Sequence, residues 1–322
     1  MTFFPAERLL AGGMLSTVRP HQGVHLMSAV IAAEALSKYF GRHPAVIDLD
    51  LDIPPGVVFG YLGPNGAGKT TTIRMLVGLS RPSSGRVLIG GADAVRDRAA
   101  AQHRIGYLPG QFVAYPDLTA REYLGYLAHL RGGVDHKAVT RLAERLDLDT
   151  GGRIGAMSHG NRQKVGLVQA FMAEPEVIVL DEPTTGLDPL VQREFQAIVR
   201  EARERGATVF LSSHVLSEVQ AVADTVGILR QGRLVEVRAV TELTARALHR
   251  LRFEFAGTPP NAAIVRALDG VRTVRVEGRT AHVEIEGSTA ELLKVVAPHD
   301  VVDITGHEPD LEDVFLTYYG RE

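Results

Sequence analysis

The chain is 322 residues long, which at about 150 residues per domain predicts two domains and a sizeable buried core. Hydrophobic residues make up 45%, charged residues 23%, and the formal net charge is −3, a balance that excludes a disordered chain and a strongly basic nucleic-acid binder. There is no cysteine, which removes disulfides, thiolate metal sites and cysteine nucleophiles together, and the 12 histidines lack the spacing of a helical zinc site.

The opening segment carries a short apolar patch at Leu9 to Leu15 but neither the continuous hydrophobic core nor the cleavage site of a signal peptide. Residues 1–27 are expected to be a disordered lead-in, with Met27 an alternative start, because periodicity begins only at Val30. No apolar run approaches the length of about 18 residues that a membrane span requires. Val46 to Ile53 alternates apolar and polar residues, the mark of a half-buried strand, and Pro54-Pro55-Gly56 ends it. Val57 to Leu62 enters a glycine-rich turn, and Lys69 to Leu79 carries helical spacing. The apolar runs Val177 to Leu180 and Thr208 to Leu211 are each followed by a helical pattern. This alternation predicts an α/β fold with a largely parallel sheet and an antiparallel part supplied by the early strands. From Thr241 the pattern changes. His249–Phe255, Asn261–Leu268, Val271–Val276, Ala281–Ile285, Thr289–Val296 and Val301–Ile304 read as β, α, β, β, α, β, the split order of a ferredoxin-like unit, before a last helix at Leu311–Tyr319.

Gly63-Pro64-Asn65-Gly66-Ala67-Gly68-Lys69-Thr70 fits G-x-x-x-x-G-K-[ST] between a predicted strand and a predicted helix. Backbone N–H groups of such a loop, together with the helix N-terminus, converge on phosphate oxygens. Lys69 then reaches the β and γ phosphates and the Thr70 hydroxyl serves Mg²⁺, with Thr71 completing the nucleotide-binding stretch. Val177-Ile178-Val179-Leu180 ends in Asp181 and Glu182 at the sheet edge where ligands gather. Asp181 suits the Mg²⁺-holding acid, while Glu182 suits the group that orients or deprotonates the attacking water. His214, at the end of the next predicted strand, is placed to donate to a γ-phosphate oxygen. Ser158 is a good N-cap for the helical pattern Arg162 to Met172, giving a second anion site.

These residues carry a resemblance to the ATP-binding cassette (ABC) ATPases, specifically the separate ATPase subunit of ABC-2-type drug or antibiotic exporters. Met157-Ser158-His159-Gly160-Asn161-Arg162-Gln163-Lys164 stands where that family has its Leu-Ser-Gly-Gly-Gln signature; Ser158 and Gly160 match, while His159 and Asn161 depart. Gly186-Leu187-Asp188 resembles the D-loop. Tyr107 to Tyr115 resembles the Q-loop, whose glutamine, touching Mg²⁺, is assigned to Gln111, with Gly110 as the ungapped alternative. The adenine-stacking aromatic is Phe40, with Tyr39 second. The resemblance implies a phosphate-loop NTPase fold over residues 28–240 with a mixed sheet and a helical subdomain at about 112–175, and a small accessory α+β domain over 241–322. It further implies binding and hydrolysis of MgATP in a dimer, either a homodimer or a pair with a paralogous ATPase subunit. An integral-membrane permease on another chain would be the partner in export, which places the protein in the cytoplasm, peripheral on the inner face of the cell membrane. The rival readings are a soluble cassette ATPase acting on ribosomes or DNA and a phosphate-loop kinase. The first fits poorly with a single cassette lacking a long coiled coil, and the second would not need the Ser158 segment.

Overall fold

The computed structural model describes residues 29–245 and 248–307; the expected lead-in over 1–27 and the expected last helix at Leu311–Tyr319 lie outside the described residues. The first elements are β1 (Ile31–Phe40), β2 (His43–Ile53), β3 (Val58–Leu62), α1 (Lys69–Leu76), β4 (Ser84–Ile89), β5 (Ala92–Asp93), α2 (Arg98–His103) and β6 (Ile105–Leu108). Three helices follow, α3 (Ala120–Leu130), α4 (His136–Arg145) and α5 (His159–Phe171), and then β7 (Val177–Asp181), α6 (Pro189–Glu204), β8 (Thr208–Ser213), α7 (Leu216–Gln220), β9 (Thr225–Arg230), β10 (Arg233–Ala239) and α8 (Val240–Ala245).

The central sheet has the order β10-β9-β3-β8-β7-β6, with β10 antiparallel to β9 and the other neighbours parallel. Its middle strands are buried along their whole length because both faces are covered. Alternate residues serve different layers. Val58, Leu62, Ile178, Leu180, Val209 and Leu211 join the core beneath α5 and α6. Phe59, Tyr61, Val177, Val179 and Phe210 join the core shared with α1 and the early strands, where the Phe210 ring lies 5.6 Å from Phe59 and 5.1 Å from Tyr61. The early strands do not extend the parallel sheet; they form an antiparallel sheet of their own, ordered β2-β1-β4-β5.

Helix boundaries follow local chemistry. Asp188 caps α6 by accepting from the N–H groups of Leu190 and Val191 at 3.0 Å, with Pro189 in the first turn, and those backbone donors hold its carboxyl below the usual range. The buried face of α6 then repeats as Val191, Phe195, Ile198, Val199 and Ala202. Thr119 and Glu122 form a reciprocal capping box at α3. Helix α1 stops at Leu76, three residues short of the sequence expectation, because Gly78 turns with φ 70°.

Helix α5 lies against β6 at Gly106, where a Cβ would stand 1.9 Å from the Ala170 carbonyl oxygen and 2.7 Å from the Pro175 ring. Gly106→Ala is expected to destabilise the protein by about 1–3 kcal/mol or more, as overpacking of a close backbone contact does; a denaturation midpoint equal to wild type would contradict this.

The remaining described chain is β11 (Leu248–Phe255), α9 (Ala262–Arg266), β12 (Val271–Glu277), β13 (Thr280–Glu286), α10 (Ala290–Val296) and β14 (Val301–His307). These match the β, α, β, β, α, β order read from the sequence, in a fully antiparallel sheet ordered β12-β13-β11-β14. Phe253, Phe255, Ala281, Val283 and Ile285 pack with Val265, Leu292 and Val296 in a separate core, which places both helices on one face of the sheet.

Candidate functional site

Register brings the sequence-nominated groups to one edge. Leu62 pairs with Ser213, Asp181 with Ser212, and Leu108 with Leu180, so β3, β8, β7 and β6 end side by side. The glycine-rich loop, His214, the Asp181–Glu182 pair and the Pro109–Gln111 segment leave those ends as neighbours, at the carboxyl edge where open parallel sheets bind ligands.

The loop needs its glycines for space as well as for conformation. A Cβ on Gly68, which has φ 111°, would stand 2.4 Å from the Ala45 carbonyl oxygen, and one on Gly63 would stand 2.8 Å from that of Leu229. Ala67 is buried and its carbonyl accepts from Gly232 N–H at 3.0 Å, whereas Pro64, Asn65, Gly66 and Thr70 are exposed and Thr71 is half-buried. Lys69 is buried and its ammonium donates to the Gly63 carbonyl at 2.6 Å, lying 3.4 Å from Glu182 Oε1. The loop therefore holds a buried ammonium at its centre, for which a phosphate oxygen entering the loop would compete with Glu182.

Asp181 is fully buried. Its Oδ1 accepts from Ser212 Oγ at 2.6 Å, and its Oδ2 has no hydrogen-bond partner among the described residues. An orphaned carboxylate oxygen is costly, and with the exposed Thr70 hydroxyl it is a donor set that fits a hard cation such as Mg²⁺. Gly110 borders it: a Cβ there would approach Asp181 Oδ2 to 3.2 Å. Gln111, the sequence choice for the metal-touching glutamine, is exposed, so Gly110 is the residue packed against the acid. Tyr107 is half-buried, and burial, followed by the Asp181 charge, pushes its phenol up to about 12, which keeps it neutral.

Glu182 adopts φ 52°, a left-handed conformation that costs a non-glycine residue about 1–3 kcal/mol and tends to mark functional sites. Its N–H donates to the Ser212 carbonyl at 3.1 Å, and its Oε2 lies 2.7 Å from His214 Nδ1. Facing a carboxylate, Nδ1 acts as the donor. A neutral His214 ring then presents Nε2 as an acceptor, so donation from Nε2 to a phosphate requires the imidazolium or release of Glu182.

Ser158 caps α5 by accepting from Asn161 N–H at 3.2 Å, and the helix begins at His159, earlier than its apolar pattern indicates. Gly160 is obligatory, since a Cβ would stand 2.4 Å from the Gly186 carbonyl oxygen. The His159 ring covers Gly186, whose own Cβ would meet it at 2.6 Å, so the departure from the signature consensus packs against the D-loop. Phe40 and Tyr39 are 57% and 43% exposed, which excludes core packing, and the Lys38 ammonium lies 5.1 Å from the centre of the Phe40 ring. Both sit at the tip of the β1–β2 hairpin, where Phe40 pairs with His43 two residues before Ala45, the residue that abuts Gly68. Sequence reasoning missed Ser212 and Gln163 as site residues. Gln163 is buried and donates from Nε2 to the carbonyls of Glu182 and Pro183; its place three residues after Gly160, on the same face of the helix, was the available signal.

The ABC transporter family model matches residues 46–185. The bacitracin transport ATP-binding protein BcrA of Bacillus licheniformis is 34% identical over 301 residues, covering 91% of this chain and 98% of its own. The chain belongs to the ABC transporter ATP-binding proteins. Within that family the daunorubicin resistance ATP-binding protein DrrA3 of Streptomyces coeruleorubidus is 34% identical, covering 92% of this chain and 98% of its own. A solved ATP-binding subunit of an ABC transporter superposes on this ABC ATPase with TM-score 0.62 at 28% identity, covering 66% of this chain and 91% of that one. No helix among the described residues of the ABC ATPase is long and apolar enough to cross a membrane.

Proposed function

We propose that this ABC ATPase binds two MgATP between two subunits and drives export through a permease on a separate chain. The observation that supports the reading is the division of the anion sites. Gly63–Thr71, Asp181, Glu182 and His214 share one sheet edge, whereas Ser158 is exposed at the start of α5, with its hydroxyl accepting from the Asn161 N–H of its own helix. A capped helix N-terminus of that kind adds to phosphate binding where it meets a nucleotide held by another subunit's loop. Residues 28–240 then form the ATPase domain and 241–322 an accessory domain. Transport is supported by the full-length likeness to proteins named for bacitracin transport and daunorubicin resistance; in this reading the subunit works at the inner face of the cell membrane.

In this mechanism the loop amides and Lys69 bind the phosphates, and Phe40, or Tyr39 beside it, stacks on adenine. Thr70 and Asp181 would hold magnesium, which when bound neutralises charge on the β and γ phosphates. Glu182 orients the attacking water and takes its proton, and His214 holds Glu182 in place. Ser158 and Gly160 of the facing subunit close the site against water.

Mixing tests the shared site. Subunits carrying Lys69→Ala and subunits carrying Ser158→Arg are each expected to be inactive alone, and the mixture is expected to form an ATP-dependent heterodimer with one intact composite site and partial ATPase activity. A mixture that forms no heterodimer with ATP would count against the trans arrangement. For the permease, the chain should co-sediment with vesicles only when a candidate permease is present.

A further inference from the structure

Helix α5 carries a buried contact that the reaction above does not use. Gln163 is 1% exposed, and its carboxamide nitrogen donates to the Glu182 carbonyl at 3.2 Å and the Pro183 carbonyl at 3.1 Å. Both neighbours are carbonyl oxygens, so the amide orientation is decided: the NH₂ faces the loop after β7. The other end, Oε1, is left buried without a partner among the described residues. An apolar side chain of equal length would avoid the unpaired Oε1 but would take the donor away from both carbonyls. A polar group that leaves one of its atoms unsatisfied in order to hold two carbonyls points to a constraint on the loop it holds.

That loop is the one that needs holding. Glu182 sits at φ 52°, and among the described residues its carbonyl has besides Gln163 only a longer bond of 3.4 Å from Thr185 N–H. The peptide planes that Gln163 fixes on the carboxyl side of Glu182 set where its side chain emerges, as Ser212 does on the amino side. Gln163 also lies on the helix that Ser158 caps. Along this one helix Gly160 abuts the Gly186 carbonyl, Gln163 grips the catalytic loop, Lys164 donates to the Asp147 carbonyl at 2.9 Å, and Gly166 abuts Leu108 and Phe112. Any displacement of the Ser158 end is therefore delivered to the backbone of Glu182 in the same subunit through one rigid turn and a half of helix.

We infer that Gln163 is a positioning residue for Glu182, coupling the phosphate contact made by Ser158 at the facing subunit's nucleotide to the base of its own subunit's site. This rests on the dimeric reading proposed above. It makes the two sites interdependent: nucleotide at one sets the geometry of the water-activating group at the other.

The test is the isosteric variant Gln163→Met in the full chain, with ATP binding, ATP-dependent dimerisation and steady-state hydrolysis measured per nucleotide-binding subunit. Nucleotide affinity and KM are expected to stay within about twofold of wild type while kcat falls about 10- to 100-fold, the scale of a misplaced reacting group. Because Gln163 acts through Glu182, the same change in a Glu182→Gln background should add little further loss. Gln163→Asn keeps the carboxamide but shortens its reach by one methylene and is expected to lose activity in the same way, which covers the case in which the first variant does not fold. Unchanged kcat in a folded variant would overturn the positioning role, as would a full extra loss in the Glu182→Gln background. Failure of the wild-type protein to dimerise with ATP would instead overturn the composite-site reading, and the coupling with it.

Discussion

Glu182→Gln is expected to keep nucleotide binding and lose at least about a hundredfold in turnover, the usual contribution of a general base being 10²–10⁴-fold. The two side chains are nearly the same size, so the tight turn at φ 52°, the Ser212 bonds to its N–H and the Gln163 bond to its carbonyl are all preserved. An amide can still pair with His214 Nδ1, 2.7 Å away in the parent protein, but it cannot take a proton from water. The substitution also removes the negative charge 3.4 Å from Lys69 and leaves that ammonium to the phosphates, so affinity for ATP should hold or rise. Binding is read by equilibrium titration and turnover by phosphate release. Hydrolysis at the wild-type rate would move the catalytic role to another group.

Lys69→Ala is expected to cut MgATP affinity severely. Lys69 is the buried cation of the loop, and each charged hydrogen bond it transfers to phosphate is worth about 1.5–3 kcal/mol net, roughly 10- to 150-fold in Kd per bond lost. Removal also leaves Glu182 facing the incoming phosphates without the ammonium that lies 3.4 Å from it, adding repulsion to lost attraction. Wild-type affinity in a folded Lys69→Ala protein would contradict the assignment. The two substitutions separate the functions of one ion pair: loss of the base stalls turnover after binding, and loss of the cation stops the nucleotide at entry.

The legible part of the site was the part written in short contiguous stretches. Gly63–Thr70 combines a fixed residue spacing with a strand before it and a helix after it, and the end of β7 puts two carboxylates immediately after a fully buried run. The βαββαβ order of the C-terminal unit was readable for a similar reason, since its elements are short contiguous apolar stretches, and in β13 buried and more exposed residues alternate strictly. Strands β4, β5, β6, β9 and β10 escaped sequence reading. β6 is four residues long with glycine at its second position, and β10 is partly exposed along its length, so neither writes a clear period. Which of Gly110 and Gln111 abuts Asp181, some seventy residues further on, was likewise not written locally.

By itself the sequence determined the phosphate chemistry, because that chemistry depends on residue types at fixed spacing along one stretch of chain. The period of the apolar residues also determined the α/β class. Only the tertiary structure decided which groups work together. Parallel pairing of β3, β8, β7 and β6 places the loop, His214, Glu182 and Gly110 at one edge, although more than a hundred residues separate Lys69 from Glu182 in the chain. The left-handed turn at Glu182, the Asp181 oxygen left unpartnered among the described residues and the grip of Gln163 on the loop after β7 appear only in the folded chain. Such contacts are set by distances between elements remote in sequence, and no local pattern of side chains encodes them.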